Sequence, residues 1–297
     1  APALVPDLLE AGSPEGGARR LIERYALDPR DAWSLAHGIR ALGKASALGG
    51  GRGAIDHLCS TFLREKEVGG KRYLFFPPEV EVHTNMFLKT LLEAGVDPRQ
   101  EIRVEGRRYT FDDLIRSAKA LFAFDPKTFH KNDLAWSLIA LSITTPPGGG
   151  WVNAYGQEVR MPDVVEFGFA TLEEATGEVR AAMEAGWPLL DKAPIHRFTC
   201  GGTHLIYSVI VAVKNGHGGS GRKTRLKPQM DMLVYRLEVD PDLIDRYSKR
   251  LERTPAGAWY RLDARLKFLG HAFEGLHYAL RHRLFRPDPA QEAKIRK

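Results

Sequence analysis

The sequence predicts an almost wholly α-helical fold built from two layers of helices, and three observations carry that prediction. Apolar residues recur at three- and four-residue spacing through nearly the whole chain. Alternating runs rich in Val, Ile and Thr, the mark of half-buried strands, are scarce. Helix stop residues bound the periodic segments, as with Gly95 after Leu91-Leu92-Glu93-Ala94 and Gly186 before Trp187-Pro188.

In chain order, the spacing predicts helices over 3–11, 15–26, 30–44, 53–66, 83–94 and 110–123. Further helices are expected over 128–143, 163–185, 200–215, 228–238, 240–252 and 258–284. In 30–44 the stripe is Ala32, Leu35, Ala36, Ile39 and Leu42. Thr110 reads as a cap for 110–123, with Asp112 and Asp113 favoured by the positive helix end, and Asp125-Pro126 precedes the next helix. Arg72 to Phe76 is the best strand, with a second at Glu101 to Val104, which leaves room for one short β-hairpin. Two glycine-rich loops stand out, 144–156 and 216–222, the second adjoining the basic run Arg222-Lys223-Thr224-Arg225-Leu226-Lys227.

The chain has 297 residues, 43% hydrophobic and 27% charged, the balance of a soluble globular protein. Helices of one kind flank both glycine-rich loops, so a single domain over 1–297 is expected, its core at about 28–284. The net charge of +6 favours anionic partners modestly. No zinc-finger spacing, helix-turn-helix signature or aromatic-basic ribonucleoprotein motif is present, which argues against nucleic acid. No apolar run of about 18 residues exists to span a bilayer. Cys59 and Cys200 cannot make a disulfide framework, although one bridge is possible. The start at Ala1-Pro2, without methionine or signal-type stretch, suits a cytoplasmic chain or a processed exported one.

Helices with a polar or His-bearing start (30–44, 83–94, 128–143, 200–215, 262–284) alternate with more charged ones (53–66, 110–123, 163–185, 228–252), which suits an inner and an outer ring. This pattern resembles the α/α-toroid folds, a group that includes terpenoid cyclases, lanthionine cyclases and many carbohydrate-active enzymes. The resemblance implies a central cavity lined by the inner helices. Ala36-His37-Gly38 is similar to part of the Cys-His-Gly motif of lanthionine cyclases, but alanine stands where the zinc-binding cysteine would be. The acidic metal motifs of terpene cyclases, the Glu-x2-His pairs of di-iron bundles and the P-loop ending are all missing.

The stretch HRFTCGGTHLIYSV, residues 196 to 209, is the densest in chemistry. Thr199 is expected to cap a helix whose first turn holds Cys200, where the helix dipole would lower the thiol pKa. His204 follows at i+4, on a face shared with Thr203 and Tyr207. Gly201 and Gly202 cost helix stability, so either a close neighbour or a ligand must lie against them. Cys200 and His204 offer two of the three protein ligands that a catalytic zinc usually takes, and His37, His83 or His271 can supply the third.

Other candidates fall on the putative inner helices. Trp33, His37 and Arg40, at i, i+4 and i+7, pair an aromatic plate with an imidazole and a guanidinium, a set that suits a sugar or a carboxylate. His130 shares a face with Asp133 and Ser137, so Asp133 would orient a general base. His271, Glu274 and Tyr278 repeat that geometry.

The expectation is an enzyme whose cavity holds His83, His204, His37, His130, Asp133 and Cys200 as acid-base or metal-assisting groups. Trp33, Arg40, Trp151, Tyr155 and Tyr207 would position a small or oligomeric anionic substrate, such as a saccharide. Hydrolysis, elimination and epimerisation all use such groups. The alternative is a non-catalytic helical scaffold whose histidines satisfy one another and whose basic loop docks a protein partner.

Overall fold

A computed structural model of the chain describes residues 14–249 and 254–297. The helix expected over 3–11 and the end of that over 240–252 lie outside the described residues. The described residues are mostly helical, with three antiparallel two-stranded hairpins rather than the single one expected. None of the helices described is long and apolar enough to cross a membrane.

The chain divides into two compact units, one through Ala123 together with Trp151–Val159, the other comprising Phe124–Gly150 and Arg160–Lys297. The first unit begins with α1 (Pro14–Tyr25), α2 (Ala32–Leu42) and α3 (Ala54–Phe62). Asp31 starts α2 by accepting the Trp33 N–H, and Leu35, Ala36 and Ile39 turn its stripe inward, as the spacing predicts. Then come β1 (Arg64–Val68), β2 (Lys71–Phe75), α4 (Met86–Glu93), β3 (Glu101–Val104), β4 (Arg107–Thr110) and α5 (Phe111–Leu121). Thr110 and Asp113 form a reciprocal capping box at the start of α5.

Both hairpins turn on two residues of positive φ, Gly69-Gly70 and Glu105-Gly106. That is the geometry matching the twist of paired strands. β1 reads Arg-Glu-Lys-Glu-Val and has no apolar alternation, so the helix expected over 53–66 ends instead at Phe62.

The second unit contains α6 (Leu134–Thr144), α7 (Met161–Ala175), α8 (Gly177–Ala185), α9 (Thr203–Lys214), α10 (Arg222–Lys249), α11 (Pro255–Arg281) and α12 (Pro289–Arg296). The third hairpin, β5 (Gly150–Val152) and β6 (Glu158–Arg160), belongs to the first unit over Trp151–Val159. α9 is apolar nearly all round, and Leu205 through Val213 are all buried. It packs against α6, α7, α10 and α11, as an all-round apolar helix must.

Several boundaries differ from expectation for physical reasons. Asp125-Pro126 opens a turn, and α6 starts only at Leu134 after a 3-10 turn. The expected helix 163–185 splits at Thr176, whose hydroxyl donates back to the Leu172 carbonyl. α10 passes through Pro228 and Pro241, joining two expected helices.

The basic run 222–227 is no loop but the start of α10. Arg225 is held by Glu166 and Glu173, and Lys227 by Asp231, so these cations are spent locally. The glycine-rich loop ahead of them is pinned by His217, which is buried and donates to the Ser142 carbonyl at 3.0 Å. Burial holds the His217 pKa below its ordinary value.

Candidate functional site

The helix expected to start at Cys200 starts three residues later. Cys200, Gly201 and Gly202 have φ of 53°, 65° and 74°, a left-handed turn that delivers the chain into α9 at Thr203. Cys200 therefore lies just ahead of the helix rather than in its first turn. The glycines are explained by backbone geometry and close approach: a Cβ on Gly202 would collide with Ile195, and one on Gly201 would press on the Arg236 guanidinium. Cys200 has no such licence. A left-handed L-residue costs roughly 1–2 kcal/mol, and such strain persists only where surrounding contacts impose it.

Those contacts are specific. Asn132 Oδ1 accepts from both the Thr199 N–H and its hydroxyl, at 2.9 and 3.1 Å. Thr203 Oγ1 donates to the Cys200 carbonyl at 2.9 Å, and Arg236 Nη2 donates to the Gly201 carbonyl at 2.6 Å. Arg236 is fully buried and also donates twice to Asp240 Oδ2, which His196 Nε2 reaches at 3.1 Å. Burial works against the Asp240 carboxylate, but Arg236 and His196 outweigh it and hold its pKa below the ordinary range.

The strained turn places the Cys200 thiol beside two imidazoles. One ligand atom each from Cys200, His204 and His271 lies within 4.8 Å of the others. The rings of His204 and His271 are 4.0 Å apart, and Trp136 covers His204 at 5.1 Å. His271 Nδ1 donates to Glu274 Oε2 at 3.1 Å, which leaves Nε2 as the ligand nitrogen. Burial disfavours the charged His271 ring, but hydrogen bonds to Cys200 and Glu274, with their charge, push its pKa up to about 9. A cavity of about 220 Å³ adjoins, lined by Cys200, Gly201, His196, Asp240, Lys192 and Phe268 among others.

No known protein family, curated protein or solved structure matches the chain. The chemistry must be read from the side chains. One thiol and two imidazoles form a borderline-soft donor set of the kind that suits zinc, with a carboxylate behind one histidine as metal-binding histidines usually have.

Of the residues expected in a site, the structure brings together Cys200 and His204, with His271 as the third member of the ligand set. Tyr207 lies in the core against Tyr278. His130 does pair with Asp133, at 3.2 Å, but its side chain is 74% exposed on the surface of the same unit.

His37, His83, Trp33, Arg40, Trp151 and Tyr155 belong to the first unit. His37 stacks on Trp33 at 4.6 Å and donates to its carbonyl, while Arg40 is paired with Glu93. His83 is half-buried just ahead of α4. The Trp151 indole donates to the Lys119 carbonyl, and Tyr155 is exposed in the β5–β6 turn. Cys59 and Cys200 are both free thiols; burial pushes Cys59 up to about 12.

Asn132, Arg236 and Asp240 were not anticipated, and His196, though inside the stretch 196–209, had no expected role. One signal was present: Arg236 and Asp240 sit four apart among Met232, Leu233 and Leu237, an acid-base pair on a buried helix stripe.

Proposed function

We propose that Cys200, His204 and His271 hold a single zinc ion and that the protein is a metal-dependent enzyme acting on a small polar or anionic substrate. The observation that carries the reading is the convergence of three ligand atoms within 4.8 Å, one of them from Cys200, which also lines a cavity. Three protein ligands leave a fourth position open, as catalytic zinc requires and structural zinc does not. Bound there, the ion would supply Lewis acidity for a hydrolytic or carbonyl-directed reaction. Glu274 would fix the tautomer and orientation of His271. The toroid architecture belongs to the same proposal: α6, α9 and α11, all expected on the inner ring, bear Trp136, His204 and His271, which meet one another.

The test is elemental analysis of the purified full chain, followed by cobalt substitution. The expected result is one zinc per chain and a thiolate-to-cobalt charge-transfer band that disappears in Cys200→Ser. His204→Ala and His271→Ala should both lose most of the metal. A wild-type chain that retains no zinc, or variants that bind it equally well, would overturn the reading.

A metal-free reading has one observation of its own, the hydrogen-bonded series Cys200, His271, Glu274. It is the order of a nucleophile, its base and the group that orients the base. Alkylation by iodoacetamide separates the two: a zinc-bound thiol is protected until a chelator is added, whereas an activated free thiol reacts at once.

A further inference from the structure

The cavity beside Cys200 has two features that the metal ligands do not use. Asp240 lines its wall with a side chain only 3% exposed. Its Oδ2 atom takes all three hydrogen bonds from Arg236 and His196, whereas Oδ1 is buried with no partner. An unsatisfied buried polar atom is costly, so it marks a place where a donor belongs. Lys192, also on the wall, has no carboxylate within salt-bridge reach among the described residues. Its ammonium lies over the Tyr247 ring at 4.4 Å and 3.5 Å from the Tyr260 hydroxyl. The rest of the wall includes the apolar Leu243, Ile244 and Phe268, together with Asp263 and Lys267, whose charges are spent on each other in an ion pair of 2.8 Å.

The charges narrow the ligand. Arg236 already neutralises Asp240 inside the protein, so Oδ1 calls for a neutral donor, an amide N–H or a hydroxyl, rather than a second cation. Lys192 calls for an anion at the other end.

We propose that this cavity binds a small carboxylate-bearing amide, such as an N-acylated amino acid. The amide N–H donates to Asp240 Oδ1, the carboxylate meets Lys192, and an apolar side group lies on Phe268 and Leu243. The inference deepens the enzyme reading by naming its substrate class, and it rests on that reading for the role of Cys200 at the cavity edge.

The experiment is calorimetric titration of the full chain, zinc-loaded and chelator-treated, with three probes. N-acetyl-L-leucine carries both groups, N-acetyl-L-leucinamide lacks the carboxylate, and 4-methylpentanoate lacks the amide N–H. The expected result is binding of N-acetyl-L-leucine with at least tenfold loss for either truncated probe. Lys192→Met, a change at an exposed side chain, should lose N-acetyl-L-leucine affinity tenfold while keeping its zinc and its affinity for the leucinamide. Three probes that bind alike, no binding by any at millimolar concentration, or a Lys192→Met variant unchanged would each overturn the proposal. Zinc content is read separately, so loss of the metal reading with retained probe binding, or the reverse, is recognisable.

Discussion

His271 Nδ1 lies 3.1 Å from a carboxylate oxygen of Glu274, one helical turn further along α11. The pair rides on a single rigid element, so the imidazole's second nitrogen is aimed before any ligand arrives. Preorganisation of this kind is what distinguishes a ligand set from three side chains that merely sit close together.

Glu274→Gln keeps the shape but removes the charge behind His271. Zinc affinity, measured by competition with a chromogenic chelator, is expected to fall roughly 10–100-fold, the usual effect of losing such a partner. An unchanged affinity would show that Glu274 contributes nothing to the site.

The left-handed Cys200 sets stability against chemistry. Glycine adopts a φ of 53° without strain, whereas alanine, like the native cysteine, is strained there. Cys200→Gly should therefore be more stable than Cys200→Ala by about 1 kcal/mol in denaturant titration, though both lose the thiol. Equal stabilities would mean that the turn relaxes when the thiol is removed.

Arg236 ties the turn to α10. Arg236→Met removes the bond to the Gly201 carbonyl and strands the buried Asp240 carboxylate, a change expected to cost about 3–5 kcal/mol. Replacing both partners, as Arg236→Met with Asp240→Leu, should recover part of the loss because no unpaired charge is left. A double variant no better than the single one would place the cost in the Gly201 bond alone.

Glu81 gives the first unit a pH dependence. Its carboxylate lies ahead of α4 and accepts the Asn85 and Phe87 N–H groups, in the place of a side-chain cap. Burial nevertheless dominates and pushes its pKa up to about 8 from an ordinary 4.5. The folded chain then binds more protons than the unfolded one between those values. The Glu81 contribution is fully present below 4.5 and is lost as pH rises through about 8. Wild-type denaturation midpoints should fall over that interval. Glu81→Gln should start lower, with one N–H left unsatisfied, and vary less with pH; a parallel slope in both chains would assign the effect to other groups.

How much of this was legible beforehand depended on local pattern. The stripe of α2, the Thr110 cap and the Gly186 stop are written in residues a few positions apart, and each was found where expected. The proximity of Cys200 and His204 was also anticipated, but for the wrong reason, since a left-handed turn rather than a helical face brings them together. Asn132 and Arg236 act on that turn from distant positions, and His196, a few residues before it, bonds to Asp240 on α10; no spacing rule encodes these contacts. Of the first hairpin the second strand was expected, at 72–76, whereas β1 was missed because its residues Arg64 to Glu67 are all charged and only the Gly-Gly turn betrays it.

The His217 imidazole, seated in the wall beneath its loop, has a practical consequence. A segment with so many glycines would ordinarily be the first choice for a protease or for grafting a tag. Here the ring anchored to the Ser142 carbonyl ties down the chain at 216–218, which should resist cutting and lengthening, whereas the exposed 219–221 should accept both.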